Sequence, residues 1–309
     1  MTPTAPVPPH SSKPHSHAPP ATLRPEADLE VVIPVLNEQH RIGPTLIALA
    51  SYLEAQPWSA AIVVIDNGST DTTLDIIDTI SSPTVPITAI SCSTPGKGAA
   101  VRRGMLTTGS RWVGFMDADL STPVANIGPA VDLLESGHQV VIGSRRCPGG
   151  NYLTEQTVGR RLGGAAFHAM AHTIAPTIAD TQCGFKFFNA TAARRLFAQS
   201  HAEGFAFDVE ILSLAATAGI PVTELPVQWS DAEGSSFQPL TDGTAAALEL
   251  VAVNDRRQTE RTRVARPPAT AEPRRREGRR GELSRLATTV TRAGLDALTP
   301  GHRTDESEH

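Results

Sequence analysis

A chain of 309 residues with 40% hydrophobic side chains is long enough to bury a full α/β core. The formal net charge of -5 hides an asymmetry, because ten arginines and only three acids fall between Arg256 and Arg280 and the remainder is distinctly acidic. No window approaches the ~18 consecutive apolar residues of a spanning helix, and no apolar region of the secretory kind follows the start. Three widely spaced cysteines, Cys92, Cys147 and Cys183, argue for reduced thiols rather than a disulfide framework, so the expected location is cytoplasmic.

Residues 1–27 read as a disordered leader, since the first 25 carry eight prolines with Ser and His and few aliphatics, too little apolar surface to offset ordering entropy. His10, His15 and His17 read there as solvated side chains. From Leu29 onward apolar runs alternate with helical periodicity. Leu29 to Leu36 predicts a strand, and Ile42, Leu46, Leu49 and Leu53 a helix behind it. Ala61 to Ile65 predicts a second strand, closed by a polar turn in which Ser69 or Thr70 can cap the helix carrying Leu74, Ile77 and Ile80. Val85 to Ile90 is a third strand, Gly98 to Thr108 a helix, Trp112 to Met116 a fourth strand and Gln139 to Gly143 a fifth. Short buried strands alternating with helices imply a doubly wound, mostly parallel sheet in one domain over residues 28–255.

Ligands of such sheets sit at the carboxyl ends of the strands, which here carry Asn37, Asp66, the loop Gly96 to Gly98, and Asp117. Asp117 and Asp119 leave the fourth strand as alternating carboxylates, hard oxygen ligands suited to Mg²⁺ or Mn²⁺ bridging a diphosphate; a plain acidic turn is the other reading. Asp66 can accept from a nucleobase imide N–H or simply shape its turn. Lys97 and Arg102, at the head of the helix after Gly96, can face phosphate or solvent. The motifs GxxxxGK[ST] and GxGxxG are absent, which weakens the case for an NTPase or a dinucleotide enzyme.

Six segments in order carry a resemblance: Val31-Val-Ile-Pro-Val-Leu-Asn-Glu38, Ile65-Asp-Asn-Gly-Ser-Thr-Asp71, Gly96-Lys-Gly-Ala-Ala-Val-Arg102, Met116-Asp-Ala-Asp-Leu-Ser-Thr-Pro123, Ile142-Gly-Ser-Arg145 and Asp180-Thr-Gln-Cys-Gly-Phe-Lys186. Together they resemble a family 2, GT-A-type glycosyltransferase, in the branch of dolichyl-phosphate β-glucosyltransferases and bacterial polyprenyl-phosphate relatives. The resemblance spans Leu29 to Leu240 and implies a Rossmann-like, mostly parallel sheet flanked by helices. It also implies a nucleotide-diphospho-sugar donor such as UDP-glucose, a metal ion on Asp117 and Asp119, inversion at the anomeric carbon, and a polyprenyl phosphate acceptor. By the match of motifs Pro34, Asn37, Glu38 and Asp66 line the nucleotide pocket with Lys97 beside it, while Gln182 and Lys186 sit near the reacting sugar and phosphate. Two departures stand out: Asn67 where a second Asp is usual, and Ser236 where a segment such as Trp229 to Ser236 typically ends in a cation.

A phosphate acceptor is already anionic and needs no general base, only cations to offset repulsion between two phosphates; Arg145, Arg160, Arg161 and Lys186 are the candidates. A hydroxyl acceptor would need a base, and Asp208 is the carboxylate for that role, its pKa raised by apolar neighbours, unless it merely caps its helix. The segment 256–309 reads as an Arg-rich linker followed by a short amphipathic helix over Gly281 to Leu298. Two readings stay open: peripheral contact with an anionic membrane at its inner face, or a solvated tail with a marginal helix. Interleaved aromatics are absent, so nucleic acid is not the expected partner.

Overall fold

The computed structural model describes residues 27–152, 167, 169–230 and 241–265. The elements in order are β1 (Leu29–Val35), α1 (Ile42–Glu54), β2 (Ala60–Asp66), α2 (Thr73–Thr79), β3 (Ile87–Ser91), α3 (Lys97–Thr107), β4 (Trp112–Met116), α4 (Ile127–Glu135), β5 (Val140–Ser144), β6 (Asn151–Tyr152), β7 (Phe185–Asn189), α5 (Ala190–Phe197), α6 (Phe207–Thr217), β8 (Val222–Pro226), β9 (Gln228–Trp229) and α7 (Thr241–Ala265). Seven strands form one sheet in the order β3-β2-β1-β4-β7-β5-β8. All its pairings are parallel except those of β7, which runs antiparallel between β4 and β5.

The apolar runs become strands because both faces of the sheet are covered. Every residue of β2, β4 and β5 is buried, as expected for strands sandwiched between helices. On one face Val32, Phe115, Ile142 and Phe188 pack with α3, α5 and α6. On the other Val31, Ile33, Met116, Phe185 and Phe187 pack with α1 and α4. The two-residue period of β7 therefore places Lys186 on the same side as Phe188, facing α6.

Three sequence expectations change. Neither Ser69 nor Thr70 caps α2; that helix starts at Thr73 without a side-chain cap, and Asp71 Oδ1 accepts from the Thr73 N–H instead. Asp208 does not cap α6, whose N-cap is Ala206, because its carboxylate is turned onto Lys186. The change of composition at Asp255 is not a boundary of structure, since α7 continues to Ala265. Arg256 pairs with Glu210 at 3.0 Å and Arg257 donates to Thr173 O, so these first arginines dock on the domain. Arg160, Arg161, Ser236, residues 1–26 and residues 266–309 lie outside the described residues. No described helix is long and apolar enough to cross a membrane.

Candidate active site

The carboxyl ends of β1, β2 and β4 adjoin through the registers Val35 with Asp66 and Val32 with Phe115, which puts Asn37, Asp66 and Asp117 along one edge. Asn37 sits in the left-handed region at φ 55, a conformation that Asn tolerates better than most residues. Its Oδ1 accepts from the Thr70 N–H at 2.8 Å, and its own N–H donates to Ser69 Oγ. Asp66 is buried and accepts from the N–H groups of Gly68 and Ser69, so it does shape its turn. Pro34 lies in β1 opposite Ile65.

Asn67, the departure from the usual Asp, has a structural reason. Its Oδ1 accepts from the Gly96 N–H at 2.7 Å while its Nδ2 donates to Thr94 O at 2.7 Å. An Asp could make only the first of these bonds, so here the amide ties the turn after β2 to the loop that opens α3. The sequence carried the signal as a deviation, but nothing in the sequence showed the second partner.

Charge converges at the end of β4. Lys97, the first residue of α3, places Nζ 2.6 Å from Asp117 Oδ1. Burial works against its charge, but Asp117, Asp208 and Asp119 together outweigh it and raise its pKa. Asp119 Oδ1 accepts from the Ser121 N–H at 2.9 Å; between them Leu120 takes φ 56, an uncommon conformation for a branched apolar residue. Glu38 holds Arg41 at 2.6 Å, and its pKa is raised by burial and by the neighbouring Asp119 and Asp117 charges against the pull of Arg41.

The segment 180–186 adjoins this cluster through Gly184, which packs against Asp117. Arg145 grips Asp180 with two bonds, Nε to Oδ2 at 2.6 Å and Nη2 to Oδ1 at 2.8 Å, and its guanidinium lies 5.3 Å from the Trp229 ring. Burial opposes ionisation of Asp180, but the hydrogen bonds and charge of Arg145 prevail and hold its pKa below the usual carboxylate range. Glu224 accepts from the N–H groups of Ala179 and Asp180, a support that the sequence reading missed. Gln182 donates its N–H to Asp180 Oδ1 at 3.2 Å, and its side-chain Nε2 is buried with no hydrogen-bond partner among the described residues. Gly184 follows, its carbonyl accepting from the Asp117 N–H at 3.1 Å.

Lys186 is placed beneath this site rather than in it. Its side chain is 0% exposed, and Nζ donates to Cys183 O and Asp208 Oδ1, each at 2.6 Å. A fully buried ammonium with two acceptors does not reach a phosphate in solvent, which corrects the expectation that it lies against the reacting groups. Burial raises the Asp208 pKa against the pull of Lys186 and Lys97. Arg102 is likewise elsewhere: its Nε donates to Phe197 O at 3.0 Å, tying α3 to the end of α5. Asp117, Asp119, Lys97, Glu38 and Asp208 are thus joined in one electrostatic cluster, while Arg102 stands apart. A cavity of about 710 Å³ at the opposite edge of the sheet, lined by residues such as Asp28, Ser110, Arg111 and Arg194, contains none of the predicted site residues.

A mostly parallel sheet whose central strand ends in two carboxylates, facing the glycine-bounded start of a helix, defines the GT-A class of sugar-transferase folds. The Glycosyl transferase family 2 model matches residues 30–197, and the chain belongs to that family. It is 31% identical over 242 residues to a dolichyl-phosphate β-glucosyltransferase of Dictyostelium discoideum, covering 74% of each chain. The yeast enzyme of that name is 32% identical over 248 residues with the same coverage, and the human one 32% identical over 235 residues, covering 70% of this chain and 71% of the relative. Among solved structures, glucosyl-3-phosphoglycerate synthase from Mycobacterium tuberculosis with phosphoglyceric acid shares the fold at TM-score 0.57 and 20% identity, covering 75% of this chain and 80% of that one. The same synthase with Mn²⁺, UDP and glucosyl-3-phosphoglycerate gives TM-score 0.56 at 19% identity, again covering 75% and 80%.

Proposed function

We propose that this protein is an inverting glucosyltransferase that moves glucose from a uridine-diphosphate donor to a polyprenyl or dolichyl phosphate, giving a β-linked lipid phosphosugar. The names of its relatives support the donor sugar and the acceptor class. The observation that carries the acceptor is the state of Asp208. This carboxylate, the candidate base for a hydroxyl acceptor, is 5% exposed at its side chain and bonded to Lys186 at 2.6 Å. A base must reach the proton it removes, and this one is committed to Lys186. An acceptor that arrives as an anion needs no such group.

The donor set suits a divalent ion, because Asp117 and Asp119 are hard carboxylates and Gly184 leaves space for Asp117 that any Cβ would fill, at 2.0 Å from its Oδ2. Among the described residues no group of three or more His, Cys, Asp or Glu is arranged to hold a metal; Asp117 and Asp119 are the residues that would hold the ion, and a bound diphosphate would supply further oxygens. When bound there, Mg²⁺ or Mn²⁺ supplies Lewis-acid neutralisation of the departing diphosphate. Asn37, Glu38 and Asp66 line the nucleotide side with Pro34, and Lys97 adds a cation toward the phosphates. Gln182, whose Nε2 has no hydrogen-bond partner among the described residues, is offered to the sugar, Arg145 positions that loop through Asp180, and Arg160 and Arg161, outside the described residues, remain the cations assigned to the acceptor phosphate. The Arg-rich tail holds the protein at the inner, cytoplasmic face of an anionic membrane.

The test is a panel of UDP- and GDP-sugars with Mg²⁺ or Mn²⁺ and a short polyprenyl phosphate, scoring nucleotide release and lipid-linked product. UDP-glucose is expected to give both, and Asp119→Ala to lower turnover by at least about 100-fold, the scale of losing a main electrostatic contact in a reaction of this kind. Turnover on a soluble hydroxyl acceptor with none on polyprenyl phosphate would overturn the acceptor.

A further inference from the structure

The Asp117 carboxylate rests against Gly184, where a Cβ would fall 2.0 Å from Oδ2 and 2.7 Å from Oδ1. The oxygen farther from that glycine, Oδ1, is the one Lys97 Nζ holds at 2.6 Å. The same ammonium lies in the field of Asp208 and Asp119, with the Phe205 ring 6.0 Å off. Three carboxylates thus converge on one point of positive charge, and that point is an alkylammonium.

A lysine ammonium and a divalent cation drawn to the same carboxylate oxygen repel as like charges, so each weakens the hold of the other. We propose that Lys97 and the divalent ion compete for Asp117 Oδ1, so that entry of the ion turns Lys97 out of the acidic cluster and onto the donor's diphosphate. The inference rests on the reading of this site as metal-dependent, and adds to it an order of events: the ion and the nucleotide favour one another through the side chain that both displace and recruit.

The surroundings fit such an exchange. The backbone on either side of Lys97 is anchored, since the Gly96 N–H donates to Asn67 Oδ1 at 2.7 Å and the Ala99 N–H to Glu203 O at 3.0 Å. Movement is therefore confined to the four-carbon stem, whose side chain is 24% exposed and has solvent into which to rotate. Lys186 is the contrast within the same cluster. It is enclosed and bonded to two acceptors, so it stays in place with Asp208 while Lys97 exchanges at Asp117.

The experiment is Mn²⁺ titration of the full chain at low salt, read by the loss of the free-ion electron paramagnetic resonance signal, with and without UDP. Without nucleotide, Lys97→Met is expected to bind Mn²⁺ about threefold to fivefold more tightly than the parent, the range of a partly exposed ion pair. Lys97→Arg, which keeps the competing charge, is expected to stay within about twofold of the parent. UDP should tighten Mn²⁺ less in Lys97→Met than in the parent. Mn²⁺ binding in Lys97→Met equal to or weaker than in the parent without nucleotide would overturn the competition, even if the parent turns over UDP-glucose. A parent that shows the Mn²⁺ pattern but never binds UDP would instead remove the proposed donor and leave the competition standing.

Discussion

Replacement of Gly184 by alanine isolates the geometry of Asp117 from its chemistry. The added Cβ would stand 2.0 Å from Asp117 Oδ2, 2.4 Å from Cγ and 2.7 Å from Oδ1. Restoring ordinary contact, which begins near 3.4 Å, needs a shift of roughly 1.4 Å from the closest of these. The backbone of Gly184 cannot supply it readily, because its carbonyl bonds the Asp117 N–H at 3.1 Å and the next residue, Phe185, pairs with Met116. The carboxylate must give way. A displacement of about 1 Å at a reacting centre can lower turnover by about 100-fold, whereas overpacking of this size destabilises by about 1–3 kcal/mol. Gly184→Ala is therefore expected to remain folded, melt a few degrees lower, and lose about 100-fold in glucosyl transfer with weakened Mn²⁺ binding. Gly109→Ala is the control, since its Cβ would meet nothing within 4 Å. Turnover in Gly184→Ala within threefold of the parent, with Mn²⁺ affinity intact, would refute the assignment of Asp117 to the reaction.

Removing either partner of the Lys186 and Asp208 pair should destabilise by about 3–5 kcal/mol, because it strands a buried charge. Asp208, whose pKa is already raised by burial, can escape by taking a proton. Lys186→Met should consequently lose less stability at pH 5 than at pH 8, which denaturant midpoints at the two values will show. Asp180 behaves in the opposite sense: its folded pKa is lowered, so the stability it contributes is present above its unfolded value near 4 and is lost as pH falls through the lower folded value. Asp180→Asn should flatten the acid limb of stability below about pH 4, and an unchanged limb would contradict the Arg145 pairing. The Cys183 thiol is pushed up to about 11, first by burial and then by Asp180, so it should resist a thiolate-selective disulfide reagent at pH 8 in the native protein and react once unfolded. Labelling of native Cys183 at the unfolded rate would show that its enclosure is wrong.

The parallel part of the sheet was legible because buried strands must be apolar throughout and must end in polar turns. Trp112 to Met116 shows this best, since its apolar run and its observed limits coincide. β7 was not legible, for a physical reason: its five residues include Lys186, and a charged residue in a central strand contradicts the pattern by which such strands are recognised. Asp208, supplied by a helix twenty-two positions later, is the counter-charge that, with Cys183 O, makes that lysine compatible with the core. Cross-chain pairing of this kind leaves no periodicity to read. The same holds for Asn67, whose amide serves Gly96 and Thr94 together, and for Glu224, which accepts from Ala179 and Asp180. Of the site, the residue types and their order were readable; their separation into groups that face the ligand and groups that lie beneath it was not.

That separation has a consequence for how the segment 180–186 serves the reaction. Its polar ends are both consumed inside the protein, Asp180 by Arg145 and Lys186 by Asp208, and its middle is left with Gln182 Nε2, which has no partner among the described residues, and the bare Cα of Gly184 against Asp117. Two anchored ends around a short middle hold the loop rigidly at little entropic expense, since the ordering is supplied by ion pairs already buried in the fold. Rigidity matters here because the carboxylate that rests on Gly184 is the one that Lys97 contacts from the other side. A loop able to retreat would let Asp117 follow it, and the competing cation would lose its hold. The strongly charged ends of this segment are therefore best understood as its mounting, with the chemistry confined to the small, unencumbered residues between them.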